Sequence, residues 1–268
     1  MKSGNTGLYR VLQKHSELNM CVVMDSNFFN LAEDNKGTWE LGINWYRGLF
    51  HPKPGLKGEV TSSYTSFPAT SGVAARIYQT NPSVRLIYLM RNPVDRALSH
   101  YLHNVIMGFE KRPIRVAFKS GINSYVLSSL YFLQMQQYLR LFEREQLCIL
   151  ISESLWNDPN DTLCRLYNFL RISNIPLINN HIERVNATAP KATTRFSERP
   201  SNTAQEQLWL ALTTMQVEMH ASARLIAAAL GFGPDDRKQL ARRFIDDVYT
   251  LCNFLHFSID EWRSDFEL

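Results

Sequence analysis

The segment that spans residues 86–101, LIYLMRNPVDRALSHY, places an apolar run, a basic residue and a helix start in direct succession. The apolar run Leu86–Met90 has the length of a buried strand. Arg91 follows it, and Asn92 and Pro93 are residue types that favour the N-cap and first turn of a helix. Because ligands of open α/β sheets bind at the carboxyl ends of the strands, we expect Arg91 at a ligand-binding edge.

Ser99 lies on the predicted helix, eight residues after Arg91. A guanidinium supplies charge and a planar fork, and a hydroxyl supplies a neutral donor, so the pair suits a phosphate group. The alternative is an ordinary strand–turn–helix whose arginine forms an ion pair at the surface, because short motifs also occur by chance.

A short glycine-containing loop precedes the first predicted helix. The helix is indicated by Leu8, Val11 and Leu12, which form one apolar stripe. A loop of this kind presents free backbone N–H groups and the positive end of the helix dipole, which together bind phosphate. The loop consists of Lys2, Ser3, Gly4, Asn5, Thr6 and Gly7.

These two segments resemble the phosphate-binding motifs of sulfotransferases that use 3′-phosphoadenosine 5′-phosphosulfate (PAPS). Arg91 and Ser99 match the 3′-phosphate motif in type and spacing, and residues 2–7 are similar to the 5′-phosphosulfate loop. The resemblance implies that Lys2 contacts the 5′-phosphate and the bridging oxygen. It also implies that the loop residues that follow wrap the phosphate, namely Ser3, Gly4, Asn5, Thr6 and Gly7.

The same resemblance implies a three-layer α/β fold, in which a parallel sheet is flanked by helices as in P-loop nucleotide kinases. We expect a single domain over residues 1–268. The family places a buried strand directly before the phosphate loop, whereas only Met1 precedes it here. We therefore expect either a start further upstream or a shortened form with impaired nucleotide binding.

The stretch MCVVMDSNFFN, residues 20–30, resembles the glycan branch of the family, which includes heparan sulfate sulfotransferases. Asp25 occupies the position of that branch's glutamate base, and Asn27 the position of its histidine. Aspartate is shorter by about 1 Å, and a misplacement of that size can cost roughly 100-fold in rate. The alternative is that Asp25 caps a helix that starts near Phe28. The other matching positions are Phe29, Gly42, Trp45, Tyr46 and Phe50.

Residues 58–64 are similar to the family's third strand and the loop after it, with Ser62 or Ser63 in place of the usual proline. Glu59, at the predicted strand end, either orients Lys2, contacts the acceptor, or is a paired carboxylate within the site. Further on, the sequence predicts a core-facing helix over Tyr125–Phe142 and a strand over Leu147–Ile151. Later predicted elements are a helix from Asp158 to Leu170, a helix over Gln205–Leu230, a last helix from Asp235 through Leu251 and a terminal element ending at Trp262.

A basic, aperiodic stretch covers residues 186–202 and contains Lys191, Arg195 and Arg199. In the family a basic loop near this point closes over the nucleotide, and the resemblance implies that role here. A solvated loop is the alternative, since isolated charge clusters usually are solvated.

Composition limits the remaining possibilities. A chain of 268 residues with 45% hydrophobic content can bury one large core, and a net charge of +4 suits a polyanionic cofactor without indicating nucleic-acid binding. The four cysteines lack metal-site spacing and favour a reducing compartment. Since there is no apolar run of about 18 residues, we expect no membrane span and a cytoplasmic location, or the Golgi lumen if an upstream anchor is missing.

The sequence therefore predicts transfer of a sulfuryl group from PAPS to a hydroxyl or amine of a glycan or small metabolite, with adenosine 3′,5′-bisphosphate as the product. Asp25 would remove the acceptor proton and Lys2 would stabilise the leaving group, with no metal. A P-loop triphosphatase is disfavoured because Lys2 precedes the glycines, unlike in a Walker motif. A degenerate, non-catalytic family member that acts as a binding or scaffold protein remains the alternative.

Overall fold

The computed structural model describes residues 2–33, 37–119, 121, 123–177, 182, 206 and 223–267. The chain forms two compact units. The first contains residues 3–91 and 132–184, and the second contains Lys2 together with residues 92–131 and 185–268. The chain passes from one unit to the other and back, and a single domain over residues 1–268 stays a prediction.

Twelve helices and four strands can be assigned in the described ranges. The first part of the chain contains α1 Asn5–Gln13, β1 Leu18–Met20, α2 Gly42–Arg47, β2 Leu56–Gly58, α3 Val73–Thr80 and β3 Leu86–Met90. The middle contains α4 Pro93–Ile106, α5 Ile114–Lys119, α6 Ser124–Leu127, α7 Tyr131–Leu139, β4 Leu147–Ile151, α8 Ser152–Asn157 and α9 Pro159–Leu170. The last part contains α10 Ala223–Ala229, α11 Pro234–Arg242 and α12 Ile245–Leu255.

All four strands belong to the first unit and pair in parallel. β1 pairs with β2, with Leu18 opposite Leu56, and β3 pairs with β4, with Leu86 opposite Leu147. Parallel strands joined through helices are the mark of an α/β protein, so the predicted fold class is confirmed. The expected single sheet is present as two separate two-stranded ladders among the described residues.

The core of the first unit forms where α1 and α9 cover these strands. The predicted stripe of α1 buries Leu8 and Leu12 against Leu89 of β3, Leu150 of β4 and Leu166 of α9. Each of these side chains is less than 8% exposed. Burial of such a side chain is worth about 1.5–3 kcal/mol, which holds the phosphate loop at the head of α1 close to the strands.

The predicted strand and helix at residues 86–106 are confirmed. β3 covers Leu86–Met90, and α4 begins at Pro93. The side chain of Asn92 caps α4, because its Oδ1 accepts hydrogen bonds from the N–H groups of Val94 at 3.0 Å and Asp95 at 3.2 Å. The strand Leu147–Ile151 and the helix that ends at Leu170 are confirmed as well.

Two predicted helices are each divided. The helix expected over Tyr125–Phe142 breaks between α6 and α7, where Ser129 Oγ donates to the carbonyl of Tyr125 at 3.0 Å. A serine that bonds to the backbone in this way competes with helix continuation. The last predicted helix breaks between α11 and α12 at Phe244, whose fully buried side chain fixes the bend. Of the helix expected over Gln205–Leu230, the described portion contains α10.

Ordered packing continues to the end of the second unit. Trp262 lies in a short 3₁₀ turn, Asp260–Trp262, and is fully buried. Its ring stacks on Tyr131 with 5.7 Å between centroids. The terminal element predicted up to Trp262 is therefore part of a core.

Candidate active site

The phosphate loop packs closely against an indole ring. Gly4 has a left-handed φ of 95°, and a Cβ placed on it would lie 3.0 Å from Cζ2 of Trp156. A Cβ on Gly7 would lie 2.6 Å from Cη2 of the same ring, which donates from Nε1 to Ser152 Oγ at 3.1 Å. Both positions therefore require glycine, and Trp156 is a site residue that the sequence analysis missed.

The loop enters α1 without a side-chain cap. Gly4 is the N-cap residue of the helix, which begins at Asn5; it has no side chain to cap the helix, and its carbonyl accepts from Gly7 N at 3.0 Å and Leu8 N at 3.3 Å. The first N–H groups of a helix have no partner within the helix, so they can donate to an anion. The predicted loop–helix arrangement is thus present, and phosphate binding by Ser3, Gly4, Asn5, Thr6 and Gly7 stays a prediction.

Lys2 belongs to the second unit and lies near α4. Its charge contributes to lowering the pKa of His103, after burial, and it adds to the effects of burial and Arg96 that lower the pKa of His100 to about 2. Both imidazoles are therefore neutral at pH 7. Ser99, which is half-buried, lies on the same side of α4, since it falls three residues after Arg96 and four before His103.

Of the other residues predicted to bind the nucleotide, some lie in described parts of the structure and some do not. Arg91 directly follows β3 and is half-buried, as expected. It belongs to the first unit and Ser99 to the second, so their joint grip on a 3′-phosphate stays a prediction. Lys191 and Arg195 lie outside the described residues, as does Arg199.

The segment after β1 runs beside the end of β2 and carries Asp25. Backbone hydrogen bonds join Cys21 N to Gly58 O at 2.8 Å and Asp25 N to Val60 O at 2.9 Å. Asp25 and Asn27 both adopt left-handed backbone conformations, with φ of 57° and 54°. Few residue types tolerate this conformation, and Asp and Asn are among them. The loop therefore makes a tight turn that exposes the Asp25 side chain.

One oxygen of the Asp25 carboxylate is held by Ser62. Oδ1 accepts from Ser62 N at 2.7 Å and from Ser62 Oγ at 2.6 Å, and for Oδ2 there is no hydrogen bond with any described residue. A carboxylate oriented in this way keeps one oxygen available to accept a proton. No helix begins near Phe28 within residues 26–33, so the capping alternative for Asp25 is wrong.

Ser62 could have been noticed in the sequence as the polar replacement for the expected proline. A proline there has no N–H and no hydroxyl, so it cannot make either bond to Asp25. Asn27, at the histidine position, bonds to its own loop and to the turn after β2: its Nδ2 donates to the Asp25 carbonyl at 2.9 Å, and its Oδ1 accepts from Ser63 Oγ at 2.6 Å.

Glu59 lies beneath this loop as a buried carboxyl group. Ser26 Oγ donates to Oε2 at 2.9 Å, while Oε1 is buried. Burial raises the pKa of Glu59 above its ordinary value, against the opposing effect of nearby hydroxyls, among them Tyr64. No cation pairs with Glu59 in the part of the chain that the structure covers, so the paired-carboxylate alternative is wrong. Glu59 ties the Asp25 loop to β2.

An aromatic cluster follows Asp25 in the same unit. Phe28 stacks on Tyr46 with 4.3 Å between ring centroids and on Trp45 with 6.2 Å. Phe29 meets Tyr64 edge-on at 5.7 Å, and the Phe29 N–H donates to the Tyr64 hydroxyl at 3.1 Å. We call this set the aromatic platform; its members are Phe28, Phe29, Trp39, Trp45, Tyr46, Phe50 and Tyr64.

The described residues contain neither a metal-binding cluster nor a membrane-spanning helix. No cluster of three His, Cys, Asp or Glu side chains suited to a metal occurs within the described ranges. No helix assigned in those ranges has the length and apolar character needed to cross a bilayer. All four cysteines are free thiols.

Comparison with known proteins relates the chain to enzymes that transfer sulfate. Residues 68–209, more than half of the chain, match the sulfotransferase domain family. The mouse heparan sulfate glucosamine 3-O-sulfotransferase 6 is 29% identical over 182 residues, which cover 65% of this chain and 51% of that protein. The mouse 3-O-sulfotransferase 3B1 is 30% identical over 183 residues, with 65% and 45% covered. The chain spans about half the length of these relatives.

Two further comparisons extend this picture. The membrane-associated sulfotransferase kil1 of Dictyostelium discoideum is 36% identical over 106 residues, which cover 38% of this chain and 21% of that protein. The crystal structure of a sulfotransferase from Alicyclobacillus acidocaldarius has the same fold, with a TM-score of 0.67 at 23% identity over 98% of this chain and 95% of its own. The chain belongs to the sulfotransferase domain family, and the resemblance to PAPS-dependent sulfotransferases drawn from its sequence is confirmed.

Proposed function

We propose that the protein moves a sulfuryl group from PAPS to an acceptor hydroxyl or amine and releases adenosine 3′,5′-bisphosphate. The observation that carries this proposal is the geometry of Asp25, whose Oδ1 is held by two donors from Ser62 while its Oδ2 has no hydrogen bond with a described residue. Family membership supports the reaction class, and the uncapped glycine loop supports binding of the donor's phosphosulfate end.

In the proposed reaction, Asp25 Oδ2 takes the proton of the acceptor hydroxyl as the new S–O bond forms. The bond between sulfur and the bridging phosphate oxygen breaks, and the charge that develops on this oxygen is stabilised by Lys2 and by the loop N–H groups. By analogy with phosphoryl transfer, the transition state is loose, so the side chains mainly position groups and neutralise charge.

In this proposal Arg91 and Ser99 bind the 3′-phosphate of the nucleotide. Lys191 and Arg195 belong to the basic loop that would cover the nucleotide. The guanidinium provides a bidentate donor for the 3′-phosphate, which distinguishes PAPS from ATP. The imidazoles of His100 and His103 are neutral, and the guanidinium of Arg96 donates to Ser129 Oγ and the Tyr125 carbonyl, so we assign the sulfated end to Lys2.

The names of the heparan sulfate relatives support an acceptor of the glycan type, and a small hydroxyl metabolite is the second class within the same proposal. A cytoplasmic location is also proposed, with the Golgi lumen as the alternative. The four free thiols support it, because disulfides are rare in reducing compartments.

The test is a pair of measurements on purified protein. Calorimetry should detect binding of adenosine 3′,5′-bisphosphate, and radiolabelled sulfate should pass from PAPS to an acceptor. We expect Asp25→Asn to lower the transfer rate by at least 100-fold, the range of general-base catalysis, while nucleotide affinity stays within about twofold.

Glu33→Gln is the matched control, because Glu33 is an exposed acid on the same segment. It should leave both quantities unchanged. Absence of binding at millimolar nucleotide would refute the proposal. Nucleotide binding without transfer to any acceptor would instead favour the non-catalytic alternative.

A further inference from the structure

Exposed apolar side chains concentrate on both sides of Asp25. Val22 and Val23 precede it and are 48% and 46% exposed. Leu41, Ile43 and Trp45 follow it and are 55%, 36% and 36% exposed. Side chains of this type usually lie in the core, so a concentration of them around an exposed carboxylate is typical of a ligand-binding surface.

Hydrogen bonds and ring contacts connect the segments that carry these residues. Val22 N donates to Leu49 O at 2.9 Å, which ties the segment before Asp25 to the end of α2. On the other side, Trp45 of α2 stacks on Phe28, three residues after Asp25. The segments that carry the exposed residues are therefore tied to one another and to the aromatic platform, and Asp25 lies between them in the chain.

This surface carries no excess of positive charge. Residues 21–50 contain four acidic residues and two basic ones, and Lys57 and Arg76, which contact Phe50 and the Phe29 carbonyl, add two more cations, so the formal charges balance. Of the nearby lysines, Lys57 has its ammonium over the ring of Phe50, 5.6 Å from the centroid. A polyanionic acceptor requires complementary cations, and like charges in an interface disfavour binding.

We propose that this surface binds an uncharged acceptor in which the reacting hydroxyl is attached to an apolar body, such as an alkyl or aryl glycoside. This inference rests on the proposed function, because it assigns the acceptor class to the site that contains Asp25. The apolar body lies against Val22, Val23, Leu41 and Trp45, and its transfer from water supplies the affinity. A sulfated glycan chain is the acceptor that this surface disfavours.

The test compares methyl and hexyl β-D-glucopyranoside, which present the same hydroxyls but differ in apolar length. Affinity is measured by calorimetry with saturating adenosine 3′,5′-bisphosphate and again without it. Burial of one methylene group corresponds to about a fourfold gain in affinity. Because burial of two methylenes then gives more than tenfold, we expect the hexyl compound to bind at least ten times more tightly than the methyl compound.

Substitutions test which residues bind the alkyl chain of hexyl glucoside. Trp45→Ala and Leu41→Ser should each remove most of the difference between hexyl and methyl glucoside. Phe109→Ala is the control, since Phe109 is an exposed aromatic residue, 76% accessible, that belongs to the second unit. It should leave the difference intact. A melting curve and nucleotide affinity that match wild type show that each variant is folded.

The results separate this inference from the proposed function. If N-sulfated heparan precursor binds more tightly than hexyl glucoside, or if both glucosides bind equally, the inference is wrong even when the nucleotide binds. The inference is also wrong if a second copy of the chain covers this surface. That result would appear as a concentration-dependent dimer that Leu41→Ser abolishes. Failure of nucleotide binding refutes the proposed function, whereas the measurement without nucleotide still decides the acceptor class.

Discussion

Asp25 and Glu59 are two carboxyl groups of one unit with opposite environments. Asp25 is exposed and takes both donors of Ser62, whereas the oxygen Oε1 of Glu59 is buried and its pKa is raised by burial. An exposed, oriented carboxylate and a carboxyl group whose pKa is raised by burial are thus connected, because Ser26, the residue after Asp25, donates to Glu59. Environments of this kind assign different roles to chemically similar residues.

The raised pKa of Glu59 has a consequence for stability. The folded state holds the Glu59 proton more tightly than the unfolded state, so this contribution is complete below pH 4.5 and declines as pH rises through the folded pKa. Glutamine keeps the shape without titrating. We expect Glu59→Gln to gain stability relative to wild type as the pH rises above 4.5, as measured by urea unfolding. Parallel pH profiles for the two proteins would contradict this, and Glu33→Gln, an exposed acid, serves as the control.

At the scale of elements, the phosphate loop depends on α8 as much as on its own sequence. The glycines permit the turn into α1. The ring of Trp156 in α8 fills the space beside them, where a Cβ on Gly4 or Gly7 would lie. The same dependence explains the short turn at Ser62–Thr65, whose first N–H is bound by Asp25. Local sequence therefore selects the loop conformations, while a distant element sets their position.

Gly7→Ala tests the contact between the loop and the indole ring of Trp156, because the contact decides whether the substitution raises or lowers the free energy of unfolding. In an open helix this substitution stabilises by up to about 1 kcal/mol, because alanine has the higher helix propensity. Here the added methyl group would lie 2.6 Å from Trp156, so we expect a loss of about 1–3 kcal/mol in unfolding free energy, together with weaker nucleotide binding. The double variant Gly7→Ala/Trp156→Leu should recover part of the loss. A stabilised single variant would show that the contact does not exist.

At the scale of the whole molecule, the second unit is held by residues far apart in the sequence. Arg237 of α11 binds Asp265 through Nε at 2.6 Å and Nη2 at 2.5 Å, and it binds Asp95 of α4 at 2.7 Å. Asn92, the cap of α4, also donates to Asp265 at 2.8 Å. One arginine therefore connects the start of α4, α11 and the end of the described chain.

Arg237→Met should cost about 1.5–3 kcal/mol of unfolding free energy, because the nearly buried carboxylate of Asp265 then keeps only Asn92 Nδ2 at 2.8 Å and the guanidinium of Arg224 at 3.7 Å. The matched control is Arg115→Met. Arg115 also pairs with an aspartate of α11, at 2.9 Å from Asp236, but its side chain is 65% exposed. Exposed pairs contribute about 0–1 kcal/mol, so denaturation curves of the two variants should differ clearly. Equal effects would contradict the assigned role of Arg237.

Some elements of the fold could be predicted from the sequence and others could not. The strand at Leu86–Met90 and the capped start of α4 were predicted because an apolar run, an N-cap asparagine and a proline at the first helical position act locally. The break at Ser129 was not predicted, since it depends on one hydroxyl bonding to the backbone. The same limit applied to Asp25, because the sequence allowed a helix to start near Phe28, whereas residues 26–33 form none.

By itself the sequence determined the α/β class, the family, the loop–helix at residues 2–13 and the strand that delivers Arg91, because each depends on residues adjacent in the chain. Only the tertiary structure decided that Ser62 orients Asp25, that Glu59 is buried beneath it, and that Trp156 closes on Gly7. The physical reason is that burial and hydrogen bonding between distant segments arise from packing, and packing is not encoded in any single stretch of residues.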